Sequence, residues 1–228
     1  MTELWQGLLK AVQLIVSLDP EVMAITGRSL AIATTSCVLA TVICLPLGGV
    51  IHFNRFVGKG WLINIIQTLY SVPTVVIGLF VFVFLSRAGP LGGLGLIFTP
   101  VAMVAGQVLL ISPIMLGLTV SALRSVDKTV TETALSLGAS RFQAATITMR
   151  EARFAILTAV IMGFGRAISE VGLSLIVGGN IKGFTRTLTT AISLETSKGD
   201  IGLSIALGII LLFLALLVNV VLNRLQQR

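Results

Sequence analysis

Residues 155–177 read AILTAVIMGFGRAISEVGLSLIV, and the fold of the chain turns on what this stretch is. Its length matches the roughly 20 predominantly apolar residues that an α-helix needs to cross the hydrocarbon core of a bilayer. Only Arg166 and Glu170 within it are charged. Working outward, four further apolar runs lie at 30–51, 61–85, 96–123 and 201–222, and none of these four holds a charged residue. The composition agrees: 55% of the 228 residues are hydrophobic, 11% are charged, and the mean hydropathy is +1.03. A soluble domain carries about a quarter charged residues, so a soluble globular fold is excluded. The reading is an all-α, polytopic membrane protein with five transmembrane helices.

The segment ahead of the first run is different. Leu4, Leu8, Ala11, Val12, Ile15 and Leu18 follow helical spacing, interrupted by Gln6, Lys10 and Gln13. That pattern predicts an amphipathic helix in the membrane interface. A secretory signal would need a basic start, which is missing, and a small-residue cleavage site, which Asp19-Pro20-Glu21 is not. The chain therefore divides into an external or interfacial segment, 1–27, and a transmembrane domain, 28–228.

Net charge is +7, from 16 Lys and Arg against 9 Asp and Glu. In a membrane protein the question is which side holds the cations. With five spans, Arg55, Lys59, Arg124, Lys128, Arg141, Arg150, Arg153, Arg224 and Arg228 share one side. Lys10, Arg28, Arg87, Lys182, Arg186 and Lys198 share the other. The imbalance predicts a cytoplasmic C-terminus and an external N-terminus. Cys37 and Cys44, two turns apart on one helix, are expected to be reduced packing residues.

The loop at about 124–152 is the richest polar stretch. Thr129 with Glu132, and Ser140 with Gln143, each have the spacing of a capping box. Gly138 between them suits the left-handed residue that ends a helix. The expectation is a short helix near 130–137, a glycine turn, and a second helix from 141 with Phe142, Ala145, Thr146 and Met149 on one face. Such a pair could dock a partner or simply connect two spans.

Arg166 and Glu170 stand four apart, the spacing of one helix face. Counted from Arg153, Arg166 lies ~20 Å into the bilayer at ~1.5 Å per residue. A charge there is costly and must face protein or water. The pair either orients helices or lines a pathway. Ala159, Gly163 and Ala167 form a small-residue stripe on the same run, suited to close helix approach. Ser71, Thr74, Gln107 and Ser112 could donate hydrogen bonds into a pathway or bond between helices. Pro46, Pro73 and Pro113 are expected to kink their spans.

Two stretches resemble a known family. Glu132-x-Ala134-x-x-x-Gly138-Ala139-Ser140-Arg141-Phe142 resembles the EAA motif of the permease subunits of type I ABC importers, which lies on the cytoplasmic side between two spans. The match departs at Thr133, where the motif has Ala, and at Arg150-Glu151, where a Leu-Pro often follows. Gly165-Arg166-Ala167-Ile168-Ser169-Glu170-Val171-Gly172 resembles the oxyanion permeases. With Ile176-Val177-Gly178-Gly179-Asn180-Ile181 following, it is most similar to the tungstate permeases. The resemblance implies a homodimer in a prokaryotic inner membrane, two cytoplasmic ATPase subunits that bind ATP and Mg, and an external solute-binding protein. It further implies that Glu132, Ala134 and the 138–142 turn couple to the ATPase. Arg166, Ser169 and Glu170 would line the pathway for an oxyanion: tungstate, or alternatively molybdate, sulfate or phosphate.

The chain has no phosphate-binding loop, metal-ligand cluster or nucleophile elbow, so no catalysis and no cofactor is expected in it. Nothing points to nucleic acid. No inverted repeat is visible and Glu170 is the lone intramembrane carboxylate, which weighs against the competing reading of a channel or secondary anion transporter.

Overall fold

The computed structural model describes residues 2–226; Arg228, counted above among the cations of one side, lies outside them. Among the described residues the regular structure is helical, with no strand. In chain order the helices are α1 (Thr2–Val16), α2 (Pro20–Phe53), α3 (Lys59–Thr68), α4 (Thr74–Leu85), α5 (Pro100–Arg124), α6 (Lys128–Ser136), α7 (Arg141–Glu151), α8 (Arg153–Ile168), α9 (Gly172–Gly178), α10 (Leu188–Lys198) and α11 (Ile201–Gln226). Three are long and apolar enough to cross a membrane by themselves: α2, α5 and, over Ile201–Val221, α11. The other two expected spans are each broken. One is interrupted between Lys59–Ser71 and Thr74–Leu85, and the other bends by 59° between α8 and α9. Counting each bent pair as one span gives the expected five.

The two breaks have different causes. Pro73 follows Val72, which is extended at ψ 128° as a residue before proline prefers, and the helix restarts at Thr74. No proline stands between α8 and α9; there a side chain opens the ladder, as described below. Pro46 and Pro113, also expected to kink, sit inside the unbroken helices α2 and α5. A further difference lies at the start. The first spanning helix begins at Pro20 rather than near 30, so residue 27 falls inside α2. Asp19 explains the earlier start, since its carboxylate accepts the Val22 amide at 3.0 Å.

The described chain divides into two compact units. The first comprises Met1–Ser36, Pro73–Leu110 and Gly165–Arg228. In it α1 packs on α11, with Gly7 against Ile205 and Ala11 fully buried. The small residues of α1 thus face protein, while Leu8 and Val12 remain exposed. The side chain of Leu4, also placed on the apolar face, lies outside the described residues. Val22, Ile25, Leu188, Ala191, Leu207 and Ile210 form a buried cluster joining α2, α10 and α11. The second unit comprises Cys37–Val72 and Ile111–Phe164. Its cluster joins Ala122 and Leu123 of α5 with Ala152 and Ile156, flanked by Leu45, Phe53 and Met149. Ala159 is fully buried and a Cβ on Gly163 would meet the Met115 sulfur at 2.9 Å, so this part of the stripe serves close packing. Cys37 and Cys44 are free and buried, as expected.

Candidate functional site

The first unit is organised around the break between α8 and α9. The Glu170 side chain is 1% exposed and makes two bonds. Oε2 accepts from the Arg166 guanidinium at 2.8 Å, and Oε1 accepts the Leu173 amide at 2.8 Å in the first turn of α9. The Glu170 carbonyl accepts the Thr189 hydroxyl at 2.7 Å. One step back, the Ala167 carbonyl accepts the Gln107 amide at 3.2 Å as well as the Glu170 N–H at 3.3 Å. Opening a helix in hydrocarbon is tolerated only where the freed backbone groups find partners. Here one carboxylate, one amide and one hydroxyl supply them.

This corrects the expectation of a single helix over 155–177. Arg166 belongs to α8, but Glu170 lies beyond its last residue, Ile168. The pair survives because the chain turns so that the buried carboxylate bonds both α8 and the start of α9. The Arg166 side chain is 33% exposed, against 1% for its partner. Its remaining N–H donors have no partner among the described residues and are open toward whatever occupies the adjacent space. Ser169 is exposed, its hydroxyl turned onto the Arg166 carbonyl at 3.2 Å.

The other pathway residues divide. Thr74 opens α4, which packs on α9, and a Cβ on Gly172 would lie 3.0 Å from the Thr74 hydroxyl. Gln107 is buried with its Oε1 unpartnered, as is the Ser174 hydroxyl on α9. Thr74, Gln107, Arg166, Ser169 and Glu170 are therefore gathered at one break. Ser71 and Ser112 belong to the second unit. Ser71 is exposed in the turn before Pro73, and the Ser112 carbonyl accepts the Cys44 thiol at 3.6 Å.

Sequence reading missed Thr189 and the threonines beside it. Thr185 is buried, donating to the Gly178 carbonyl and accepting the Ile181 amide, and Thr187 caps α10 with a capping box to Thr190. The signal was available: four threonines fall within residues 185–190. On the rim, Glu21 pairs with Lys182 at 2.8 Å and Arg186 at 3.7 Å, while Arg28 donates to the Arg186 carbonyl.

In the second unit, α6 and α7 form the expected hairpin. Gly138 has φ +88°, and nothing would obstruct a Cβ there, so the constraint on glycine is conformational. Ser140 and Gln143 make the expected capping box. The first cap is different from the one expected at Thr129. Asp127 caps α6, accepting both the amide and the hydroxyl of Thr129, and Glu132 is left exposed. A carboxylate is the stronger acceptor and suits the positive helix end. Those two bonds, the amide first, hold the Asp127 carboxyl below its ordinary range. The hairpin is tied by Thr131 to Thr148 at 2.9 Å, with Ala134, Ala144 and Thr148 facing inward. Outward, Leu137 is 83% and Phe142 81% exposed. With Ala139, Gln143, Thr146, Ile147 and Arg150 they line an open groove of about 600 Å³. Arg141 is also exposed.

The binding-protein-dependent transport system inner membrane component family matches residues 29–228. The chain belongs to this family. The permease is 39% identical over 222 residues to the tungstate uptake system permease protein TupB of Peptoclostridium acidaminophilum, covering 97% of each chain. It is 43% identical over 211 residues to a probable anion ABC transporter permease protein of Haloferax volcanii, covering 90% of this chain and 91% of that one. Among solved structures, a bacterial alginate ABC transporter in complex with an alginate pentasaccharide-bound periplasmic protein superposes with a TM-score of 0.76. That likeness covers 94% of the permease and 82% of its counterpart at 17% identity, and shows a shared fold. The fold is that of the type I ABC importer permeases, and the permease is a multi-pass membrane transport subunit.

Proposed function

We propose that this permease forms the pathway of an ATP-driven tungstate importer, working as a homodimer with two cytoplasmic ATPase subunits and an external solute-binding protein. The likeness to TupB supports the cargo. The observation that supports this mechanism is the asymmetry of the Arg166–Glu170 pair: the guanidinium is a third exposed and the carboxylate is sealed. An oxyanion needs positive charge and N–H donors, yet must also leave. A guanidinium partly neutralised from behind by a buried carboxylate meets both demands. Ser169, exposed beside it, and Thr74, on the helix that meets α9, add hydroxyls.

The exposed Leu137, Phe142 and the turn at Gly138 form the face that seats on the ATPase, where ATP and Mg are bound. The Lys/Arg balance supports placing this hairpin in the cytoplasm and the N-terminus outside. In intact cells, a membrane-impermeant thiol reagent should label a cysteine at Ser197 and not one at Thr129; the reverse pattern overturns the orientation.

The cargo role of the pair is tested by Arg166→Met with Glu170→Gln, which removes both charges together and leaves no lone buried ion. The double variant should assemble and support ATP hydrolysis yet lose most tungstate uptake, because an anion without the guanidinium faces an added barrier of several kcal/mol on Coulomb grounds. Near-normal uptake by an assembled double variant returns the pair to helix packing.

A further inference from the structure

The second unit has a cationic end that takes no part in the proposed pathway or ATPase contact. Phe53 at the end of α2 packs against the cluster holding Ala122 and Leu123 at the end of α5. This brings Arg124, which closes α5, to the same end as the linker 54–58 and Lys59, which opens α3. The linker joins two membrane-spanning segments through five residues. The apolar run of α2 ends at Ile51, and five residues at about 3.5 Å each keep the linker within a few ångströms of where that run leaves the membrane.

Lys59 is turned back on the chain, its ammonium donating to the His52 carbonyl at 2.7 Å and the Asn54 carbonyl at 3.0 Å. Arg55 and Arg124 both act electrostatically on Lys59. Neither arginine has an ion-pair or hydrogen-bond partner among the described residues. Around these three cations the chain exposes bulky apolar side chains: Phe56 is 44%, Val57 104% and Trp61 77% exposed. Unpaired cations beside exposed aromatic and aliphatic groups, at a bilayer surface, complement an amphiphile with an anionic head.

We propose that Arg55, Lys59 and Arg124 hold the headgroup of an anionic phospholipid, with Phe56, Val57 and Trp61 set into the interface beside its acyl chains. The headgroup phosphate takes the free guanidinium donors of Arg55 and Arg124, for which planar forked N–H groups are suited. Lys59 stays on its carbonyls and adds charge. The assignment goes beyond tungstate transport and does not depend on it.

The test uses the full chain with Trp5→Phe, which leaves Trp61 as the sole tryptophan, in phosphatidylcholine vesicles. Brominated phosphatidylglycerol and brominated phosphatidylcholine are titrated as quenchers of Trp61 fluorescence. Phosphatidylglycerol should reach half-quenching at a mole fraction about tenfold lower, given the charge attraction of several clustered cations. Arg55→Gln with Arg124→Gln should remove that preference, and Arg55→Lys with Arg124→Lys should retain most of it. Arg87→Gln with Lys182→Gln should leave it unchanged. Equal quenching by the two lipids in the parent chain overturns the proposal whether or not any variant folds. Loss of the preference in 10 mM inorganic phosphate also overturns it, in favour of a site for a dissolved anion.

Discussion

The break between α8 and α9 and the hairpin of α6 and α7 treat their polar and apolar groups in opposite ways. At the break, a carboxylate that is 1% exposed has both oxygens bonded, and the freed carbonyls of Ala167 and Glu170 each find a donor. The partners all come from this chain. The hairpin closes its helix ends with Asp127 and Ser140 but leaves Leu137 and Phe142 largely in the open. Ion pairs follow the same division: the five among the described residues all lie in the first unit. A carboxylate with both oxygens bonded holds the geometry of the break, while the Arg166 guanidinium, the Gln107 Oε1 and the Ser174 hydroxyl keep bonding capacity in reserve. The hairpin leaves Leu137 and Phe142 uncovered beside capped, ordered helices, which is the basis of the proposed contact with the ATPase.

The sharpest way to break this contrast is to remove one charge at the break. Glu170→Ala leaves Arg166 without its counter-ion and the Leu173 amide without its acceptor. Thermal unfolding of the purified chain should show a loss of about 3 kcal/mol, the low end for a broken buried pair because Arg166 is partly exposed. Lys182→Gln is the comparator. Its pair with Glu21 is equally short at 2.8 Å, but the side chains are 68% and 47% exposed, so the cost should stay below about 1 kcal/mol. Equal losses in the two variants would remove the distinction between an interior and a surface pair.

A smaller stability effect with a larger functional one is expected in the hairpin. Gly138→Val forces a β-branched residue into φ +88°, at a cost of about 1–2 kcal/mol. The membrane helices should stay folded by circular dichroism, while ATP hydrolysis by the assembled importer no longer drives uptake. Normal ATP-driven uptake by this variant would show that the hairpin only connects two spans.

Much of the hairpin was legible in the sequence because its determinants are local. Ser140 and Gln143 are three residues apart, and Gly138 needs only its own backbone to be read as a turn. The mistaken cap at Thr129 shows where local rules tie: Asp127 and Thr129 both have capping side chains, and the carboxylate won. The break was not legible. Arg166 and Glu170 at a spacing of four look like a helical pair, and no proline marks the interruption. Its partners, Gln107 and Thr189, lie 60 and 19 residues away from the groups they bond. Pro46, Pro73 and Pro113 make the complementary point, since only Pro73 interrupts its helix.

By itself the sequence determined what depends on transfer from water and on neighbours along the chain. Five apolar runs of spanning length and a capped glycine turn follow from hydrophobicity and backbone sterics, each acting within about 25 residues. Only the tertiary structure decided which spans are continuous and which side of the central ion pair is open. A helix in hydrocarbon opens where distant groups can satisfy the backbone it frees. That Gln107 and Thr189 arrive at Ala167 and Glu170, and that Glu170 is sealed while Arg166 is not, are results of packing that no spacing within the fourth run contains.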